Sequence, residues 1–504
     1  MEYLISGREP QAFFRFFEEI CSIPHGSGNE SAIADYLCSF AQSRSLEYSR
    51  DGLNNVLIKK PAHPDKADRP TVLLQAHSDM VCEKLPTLEH DFTTEPLKLK
   101  VEGDILSACG TTLGGDDGVG VAAMLTALDD ASLVAPALEC LFTVSEETGM
   151  DGALGFDYNQ LTARNVVNLD NTDEGNACCG CAGGVDLHFS LPCEYAPMFG
   201  KAVAISVSGL AGGHSGVDID RGRQNAVKLL SKALLSLYQT APFCLLTMSG
   251  GVKPNVIPSS ATAIVAFFGT AEAKAADKHL RAFFAAAKQN LCREDRGVKY
   301  SFKNVPADAL KGDDAVIPKN KDFPVACLTY KSTNKLLSLL SVCPSGVLKY
   351  MPDDKSQILS SVNPGVLRHD GECFKLLLFA RSCFDCENEE IVSVLRGLGK
   401  LYGANVDVKA PTPGWKYVRG GELQKCYDRA CRAVLGKPAV FENIHAGLEC
   451  GVIIAAMNAI DGAENAQAIS IGPNLRNIHS SSESLELSSC SRFYEIIKHI
   501  LASI

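Results

Sequence analysis

The pattern of hydrophobic and polar residues predicts strands alternating with helices along the first part of the chain. Residues 10–47 show two helical periods, and from Asn55 onwards short apolar runs follow, such as NVLIKK, TVLLQAH, LECLFTV and NVVNLD. Nearly continuous apolar runs are typical of strands in a sheet that is covered on both faces. Because these runs alternate with helical segments such as VGVAAMLTALDD, we predict an open α/β sheet, which binds its ligands beyond the carboxyl ends of its strands.

The pattern changes near Val185 and changes back after PTPGWKY. Between these points, strand-like runs such as KAVAISVSGL and FKLLLFARS accompany long amphipathic helices. We therefore predict a discontinuous α/β domain formed by residues 1–184 and 414–504, with an α+β domain, residues 185–413, inserted between its halves. The polar, proline-bearing stretch 304–324 is predicted to be a surface loop.

Composition and charge exclude several classes of function. The chain has 504 residues and a formal net charge of −11. An acidic balance lacks the positive surface that neutralises phosphates, so we expect no nucleic-acid partner. The sequence MEYLISGREP has no cationic stretch leading into an apolar run, and no run of 18 apolar residues occurs, so we expect neither an export signal nor a membrane partner. The expected location is the cytoplasm.

The 20 cysteines fit the same compartment. Most stand alone in apolar segments, as buried thiols do in a reducing environment. Two groups leave alternatives open. Cys178, Cys179 and Cys181 could ligate a metal, although no second cysteine pair completes a tetrahedral site. Cys383 and Cys386 form a CxxC pair that could be redox-active, and otherwise packs in the interior.

Histidine and acidic residues, which can ligate metals, occur at predicted strand ends or loops at five places in the first domain. Taken singly, each segment could equally be a solvated loop or a helix cap. Together they supply two imidazoles and at least four carboxylates, a donor set that suits Zn²⁺, with Mn²⁺ or Co²⁺ as substitutes. So many anionic groups repel one another unless about two divalent cations neutralise them, which favours a two-metal site. The five segments are AHSDM with His77 and Asp79, GGDDG with Asp116 and Asp117, SEETG with Glu146 and Glu147, NLDN with Asp170, and NIHSS with His479.

The order of these motifs resembles a known enzyme family. HSD, GGDDGVG, SEETGMDG, NLD, an inserted GGHSG and a C-terminal histidine are similar to the dizinc metallopeptidases that include carboxypeptidase G, aminoacylase, peptidase T and the carnosinases. Within that family, LQAHSDMVCEK, NVIP and above all IHAGLECG look like the branch of bacterial aminoacyl-histidine dipeptidases. The resemblance covers almost the whole chain. It implies an α/β catalytic domain with an open mixed sheet, interrupted by an α+β lid and dimerisation domain, and hence a homodimer.

The resemblance also implies the metal ligands. His77, Asp116 and Asp170 would hold one metal, and Asp116, Glu147 and His479 would hold the other, with Asp116 as the bridge. Both metals are expected to be Zn²⁺, with Co²⁺ or Mn²⁺ possible. The family pattern further implies a cis peptide bond after the bridging aspartate.

Two catalytic carboxyl groups follow from the same likeness. Glu146 would take a proton from a water that bridges the metals and pass it to the leaving amine, while Asp79 would orient His77. One departure from the family is Asp117, where asparagine is more common. An extra negative charge there could tighten the metals or shift the pKa of the bridging water.

Four further residues are implied to contact the substrate. His214 would stabilise the oxyanion, Arg381 would bind the free carboxylate of a dipeptide, and Asn255 and Gly447 would offer polar contacts. Because the first three belong to the inserted domain, we expect the complete site to form only when the two domains close.

The function implied is hydrolysis of dipeptides, including Xaa-His and carnosine-like substrates. An N-acyl amino acid deacylase or carboxypeptidase on the same scaffold is the alternative, and HAGLECG argues against it. A metal-binding scaffold without activity is a third possibility, which the presence of every proposed ligand together with Glu146 disfavours.

Overall fold

The computed structural model describes residues 3–198, 200–306, 308–310, 326–409, 411–462 and 464–504. Most of the predicted surface loop 304–324 lies outside the described residues. Within the described residues the helices are α1 (Gln11–Cys21), α2 (Ser31–Ser43), α3 (Gly115–Asp129), α4 (Glu146–Gly149), α5 (Asp151–Gly155), α6 (Ala226–Thr240), α7 (Thr270–Gln289), α8 (Tyr330–Val342), α9 (Asp385–Tyr402), α10 (Glu422–Leu435), α11 (Glu449–Asp461) and α12 (Leu487–Ser503).

The strands of the same residues are β1 (Glu47–Arg50), β2 (Val56–Lys60), β3 (Val72–His77), β4 (Leu99–Glu102), β5 (Ile105–Ala108), β6 (Leu138–Thr143), β7 (Asn165–Asn168), β8 (Asn176–Cys181), β9 (Gly183–Pro192), β10 (Tyr195–Pro197), β11 (Lys201–Ser208), β12 (Gly213–His214), β13 (Cys244–Gly250), β14 (Val256–Ile257), β15 (Ala261–Phe267), β16 (Lys299–Asn304), β17 (Ala326–Leu328), β18 (Gly346–Tyr350), β19 (Ile358–His369), β20 (Cys373–Ser382), β21 (Asn405–Val408), β22 (Val440–Ile444), β23 (Gln467–Ser470), β24 (Leu475–Arg476) and β25 (Ser484–Glu486).

The backbone divides into two compact units. The first comprises Met1–Cys181, Trp415–Asn443 and Leu448–Ile504, and the second comprises Ala182–Gly414 and Ile444–Gly447. The sequence predicted boundaries after residues 184 and 413, and the backbone divides after Cys181 and after Gly414. The short segment Ile444–Gly447, which the sequence assigned to the first domain, groups with the second unit, so the chain passes between the units four times.

An eight-stranded sheet organises the first unit. Its strand order is β1-β2-β6-β3-β7-β23-β8-β22. Strands β6, β3, β7 and β23 run parallel, whereas the strands next to them run antiparallel. The predicted mixed α/β sheet is therefore confirmed. All six residues of β3 and all six of β6 are buried, which accounts for their nearly continuous apolar sequences.

Helices cover this sheet with aromatic and aliphatic side chains. Phe13 and Phe17 of α1, Val121 of α3 and Phe493 of α12 belong to one buried core with the sheet residues. Removing such surface from water is the main favourable contribution to folding. This core fixes the parallel strands, whose carboxyl ends lie at one edge of the sheet.

The second unit is built on a nine-stranded antiparallel sheet. Eight strands follow the order β16-β11-β15-β13-β19-β20-β9-β21, and β18 pairs with β19. Its hydrophobic core takes side chains from helices α6, α7, α8 and α9. A separate two-stranded ribbon joins β12 to β14 and pairs His214 with Val256. Within the described residues, no helix is both long and apolar enough to cross a membrane.

Candidate active site

Asp116 lies between two imidazoles in the first unit. Its Oδ1 is 3.2 Å from His77 Nε2, and its Oδ2 is 3.2 Å from His479 Nε2. Glu147 approaches from the side, with Oε1 2.9 Å from His479 Nε2. Each oxygen of Asp116 thus faces a different histidine. The peptide bond between Asp116 and Asp117 is cis, as the resemblance implied.

Three overlapping groups of side chains offer ligand atoms that lie within 4.8 Å of one another. His77, Asp116 and Asp170 form one group, and Asp116, Glu147 and His479 form another, so the structure brings all five predicted ligands together. The third group contains His77, Glu146 and Glu147. Mixed imidazole and carboxylate donors at this density are the chemistry of a divalent-metal site.

The ends of the parallel strands deliver these residues. His77 is the last residue of β3, Glu146 and Glu147 follow β6, and Asp170 follows β7 by two residues. His479 comes from the loop between β24 and β25 and has a positive φ of 58°. That left-handed conformation is unfavourable for a residue with a side chain, and strain of this kind concentrates at functional sites.

The charges of the cluster are strongly coupled. Burial favours the protonated form of Asp116, but hydrogen bonds from His479 and His77 outweigh it and hold its pKa below the usual value. Hydrogen bonds to Asp116 and Glu147 raise the pKa of His479 to about 10. Burial, followed by the charge of Asp116, raises the pKa of Asp170 well above its usual value. The protein gathers more carboxyl groups here than two imidazoles neutralise, which is the condition that favours cations.

The surroundings of Glu146 shift the pKa of its carboxyl group. Removal of its carboxyl group from water, with contributions from the charges of Asp170 and Glu449, raises the pKa of Glu146 well above its usual value. A carboxylate with a raised pKa accepts a proton more readily than an ordinary glutamate does, as a general base must.

Asp79 is fully buried and holds the loop that carries both glutamates. Its carboxylate accepts hydrogen bonds from Ser27 Oγ at 2.7 Å and from the backbone N–H groups of Glu146 at 3.1 Å and Glu147 at 3.4 Å. The Nδ1 of His77 lies 3.0 Å from the backbone oxygen of Asp79 and 3.4 Å from its carboxylate. Asp79 therefore contacts His77 through its backbone as well as its side chain, and it also contacts the loop that carries Glu146 and Glu147.

Glu483 supports the loop in front of Asp116. Its carboxylate accepts hydrogen bonds from four consecutive backbone N–H groups, those of Leu113, Gly114, Gly115 and Asp116, at 2.8, 3.2, 2.9 and 3.3 Å. A Cβ atom on Gly115 would lie 2.7 Å from Leu475 Cδ2 and 3.1 Å from Glu483 Oε1, so a glycine is needed for this approach. The glycines of the GGDDG motif therefore let the backbone wrap around a buried carboxylate.

Asp117 is buried beside the cluster. One of its oxygens accepts a hydrogen bond from Gly120 N at 3.1 Å. Burial, followed by the charge of Asp170, raises the pKa of Asp117 well above its usual value. Burial therefore opposes the additional negative charge that the sequence suggested at this position.

All four predicted substrate contacts belong to the second unit, and three of them lie close together in one polar group. The Nδ1 of His214 accepts hydrogen bonds from the N–H groups of Gly216 and Val217 at 3.3 and 3.2 Å, so the neutral ring carries its proton on Nε2. The guanidinium of Arg381 lies 3.4 Å from that Nε2. Asn255 contributes its backbone oxygen to a hydrogen bond from Ser215 N at 2.9 Å.

The segment Ile444–Gly447 contains Gly447, the fourth predicted contact, and His445. Ser361 Oγ lies 2.7 Å from His445 Nε2. Burial, followed by the positive charge of Arg381, lowers the pKa of His445 to about 3. The neutral form of the His445 imidazole is therefore favoured at neutral pH.

The cysteine alternatives receive no support. All 20 cysteines are free thiols, and most are buried or partly buried. Among the described residues, the clusters with metal-ligating geometry contain no cysteine. Cys178, Cys179 and Cys181 lie in β8, inside the first unit.

Three residues of this neighbourhood were not predicted from the sequence: Ser27, Glu449 and Glu483. Ser27 and Glu483 contact the site from segments distant in the chain, and short motifs do not reveal such contacts. Glu449 had a signal, because it belongs to the IHAGLECG motif, but no chemistry could be assigned to it. In the structure it is fully buried, and burial raises its pKa to about 7.

Known proteins resemble this chain over its full length. The family model described as peptidase family M20/M25/M40 matches residues 73–503. The chain is 32% identical over 503 residues to the cytosol non-specific dipeptidase of Escherichia coli (strain K12), and the match covers 99% of each protein. It is also similar to the crystal structure of the aminoacylhistidine dipeptidase from Vibrio alginolyticus, with a TM-score of 0.83, 29% identity, and coverage of 99% of this chain and 98% of that one. The aminopeptidase PepT from Bacillus cereus shares the fold at 14% identity and a TM-score of 0.54, with 98% of both chains covered.

Proposed function

The chain belongs to the peptidase family M20/M25/M40, and we propose that it cleaves dipeptides, including Xaa-His, at a site that holds two divalent metal ions. The enzyme class follows from the full-length likeness to a dipeptidase: the chain is a metal-dependent dipeptidase. One observation supports the two-metal site above the others. Two groups of potential ligands share Asp116, and each of its oxygens faces a different imidazole.

The donor set fits the proposed ions. His77, Asp116 and Asp170 would hold one of them, and Asp116, Glu147 and His479 would hold the other. Nitrogen and oxygen donors in this ratio favour Zn²⁺, and Co²⁺ and Mn²⁺ accept the same ligands. When bound, such ions polarise a carbonyl group and make water a stronger acid.

Glu146 performs the proton transfers in this proposal. Its carboxylate accepts a proton from the attacking water and then donates it to the amine that leaves. The raised pKa of Glu146 supports this role, because the group must bind and release a proton within one cycle. Asp79 keeps Glu146 in place through the hydrogen bond from Glu146 N.

The second unit supplies the groups that bind the dipeptide. The Nε2–H of His214 donates to the carbonyl oxygen as negative charge develops on it. The Arg381 guanidinium binds the terminal carboxylate through paired hydrogen bonds, and the fixed planar donors of arginine suit that geometry. Asn255 and Gly447 add polar contacts. The proximity of His214 and Arg381 supports a shared anionic ligand.

We further propose a cytoplasmic homodimer that associates through the second unit. The related Escherichia coli protein is named for the cytosol, which supports the location. Light scattering on the purified protein tests the oligomeric state, and a monomeric mass at micromolar concentration would contradict the dimer.

The deacylase or carboxypeptidase alternative is not favoured. A probable carboxypeptidase from Emericella nidulans is 29% identical, but over only 29% of this chain. Release of free amino acids from a panel of Xaa-His dipeptides, carnosine and N-acetyl amino acids separates the two activities. We expect hydrolysis of the dipeptides, and cleavage of the N-acetyl compounds alone would favour the alternative.

Two adjacent and isosteric substitutions test the assignment of roles. Glu146→Gln is expected to lower kcat by about 10²- to 10⁴-fold, the usual contribution of a general base, while the chain still binds two Zn²⁺ ions. Glu147→Gln serves as the matched variant and is expected to lose one ion. Loss of an ion from Glu146→Gln with full occupancy in Glu147→Gln would show that the roles are reversed, and wild-type turnover in Glu146→Gln would refute the mechanism.

A further inference from the structure

Glu449 is a charged residue in an unusual position. It is the first residue of α11, its side chain has 0% exposure, and it belongs to the IHAGLECG motif. Its Oε2 accepts two hydrogen bonds, from Gln75 Nε2 at 2.6 Å and from Thr143 Oγ1 at 2.8 Å. Its Oε1 has no hydrogen-bond partner among the described residues. Burial of a carboxyl group is costly unless hydrogen bonds compensate for the lost water. Here two hydrogen bonds compensate at Oε2.

The hydrogen bonds continue from Glu449 across three neighbouring strands. Thr143 ends β6, Gln75 lies in β3, and Asn168 ends β7. The side-chain oxygen of Gln75 accepts a hydrogen bond from Asn168 Nδ2 at 2.7 Å, and Gln75 Nε2 lies 3.1 Å from Thr143 Oγ1. One buried network therefore connects the carboxyl ends of three parallel strands.

Each strand in this network carries a residue of the metal centre a few positions later. Gln75 precedes His77 by two residues, and Asn168 precedes Asp170 by two residues. Side chains two apart in a strand point to the same face, so the network lies on the face of β3 from which His77 projects. Asn168 also contacts the predicted metal ligand Asp170 directly, because Asn168 Oδ1 accepts a hydrogen bond from Asp170 N at 3.3 Å.

We propose that Glu449 is a positioning residue for the metal centre. Its carboxylate fixes the side chains of three strand ends, and the ligands and the proton-transfer group that follow those strands are thereby held in register. This inference rests on the proposed two-metal function and adds a residue to it. Groups behind the ligands of a metal commonly set ligand orientation, and their loss typically lowers metal affinity or activity by about 10- to 100-fold.

A buried carboxylate at the other end of the same strand provides a matched control. Glu139 is the second residue of β6 and is 2% exposed. It accepts hydrogen bonds from Thr162 N and Ala163 N, both at 3.0 Å, and pairs with Lys59. A general effect of losing a buried carboxylate from this sheet would appear equally at Glu139, whereas a positioning effect would appear only at Glu449.

The experiment compares Glu449→Met, Glu449→Gln and Glu139→Met in the full chain. Zn²⁺ affinity is measured by competition with a chelator, kcat and KM are measured on an Xaa-His dipeptide, and thermal unfolding is followed on the metal-free protein. We expect Glu449→Met to lose about 10- to 100-fold in Zn²⁺ affinity or kcat at unchanged KM. Glu449→Gln should retain most of both, since its amide oxygen can accept the same two hydrogen bonds. Glu139→Met should lose thermal stability but keep wild-type Zn²⁺ affinity and kcat.

Two results would overturn the proposal: wild-type Zn²⁺ affinity and kcat in Glu449→Met, or an equal loss in Glu139→Met. If Glu449→Met does not fold, Thr143→Val removes one of the two donors with little change in shape, and unchanged Zn²⁺ affinity there would also overturn it. The Zn²⁺ measurement does not depend on catalysis. A wild-type protein that binds Zn²⁺ but cleaves no dipeptide would contradict the proposed function while the affinity comparison still tests Glu449.

Discussion

Glu483 should be essential for the loop that presents Asp116. We consider Glu483→Ala, which removes an acceptor that is 2% exposed and bound by four backbone N–H groups. A hydrogen bond to a charged acceptor contributes about 1.5–3 kcal/mol to the free energy of unfolding. The two shortest bonds, from Leu113 N at 2.8 Å and Gly115 N at 2.9 Å, alone give about 3–6 kcal/mol on that scale. Because water can enter the space left by the side chain, we expect a loss near the lower end, about 3 kcal/mol.

The assay is urea unfolding of the metal-free protein, combined with a Zn²⁺ titration. Glu483→Gln should lose less than Glu483→Ala, about 1–2 kcal/mol, because one oxygen remains while the new amide group faces two N–H donors. Glu495→Ala is the control. Its side chain is 49% exposed and pairs with Lys498, so its loss should change the free energy of unfolding by less than about 0.5 kcal/mol.

Zn²⁺ binding tests the functional half of this prediction. Since the Glu483 hydrogen bonds end on Asp116 N, the alanine variant should bind Zn²⁺ more weakly than wild type at both positions that share Asp116. A Glu483→Ala protein that unfolds at the wild-type urea concentration and binds two Zn²⁺ ions with unchanged affinity would refute the reasoning.

Three further outcomes are expected. Burial lowers the pKa of His369 to about 4, so between about pH 6.5 and pH 4 the unfolded chain binds a proton that the folded chain does not bind. The free energy of unfolding is therefore highest above about pH 6.5 and falls by up to about 3 kcal/mol as the pH drops to 4. Unfolding of His369→Phe should lack that part of the decline. A Cβ atom at Gly120 would lie 2.5 and 2.7 Å from the Asp117 carboxyl oxygens, so Gly120→Ala should cost about 1–3 kcal/mol in urea unfolding. His214→Ala should reduce kcat without changing the Zn²⁺ content measured by elemental analysis, and an unchanged rate would remove His214 from the site.

The strand ends and the residues that follow them were predictable from short stretches of sequence. The apolar run of β3 ends at His77, and Asp170 follows the apolar run of β7, so local patterning combined with the geometry of parallel strands was sufficient to bring them together. The same patterning predicted the open α/β sheet, and the family resemblance implied that the sheet is mixed.

The supporting contacts were not predictable in this way. Gln75 and Glu449 are 374 positions apart, and Leu113 and Glu483 are 370 positions apart. The IHAGLECG motif singles out Glu449, but it does not show that the carboxyl group is buried or which side chains it contacts. No local pattern singles out Glu483, because a buried glutamate and an exposed one have the same sequence signature. The grouping of Ile444–Gly447 with the second unit was not predictable for a related reason: four residues are too few to show a hydrophobic period.

Metal dependence of dipeptide cleavage tests the central claim most directly. The purified chain is dialysed against a chelator until elemental analysis finds no divalent metal, and release of histidine from an Xaa-His dipeptide is then measured with and without added Zn²⁺. We predict no cleavage in the metal-free protein and recovery that is complete at about two Zn²⁺ ions per chain, the number that the two ligand groups around Asp116 can hold. Cleavage that persists at the original rate after complete metal removal would contradict the account.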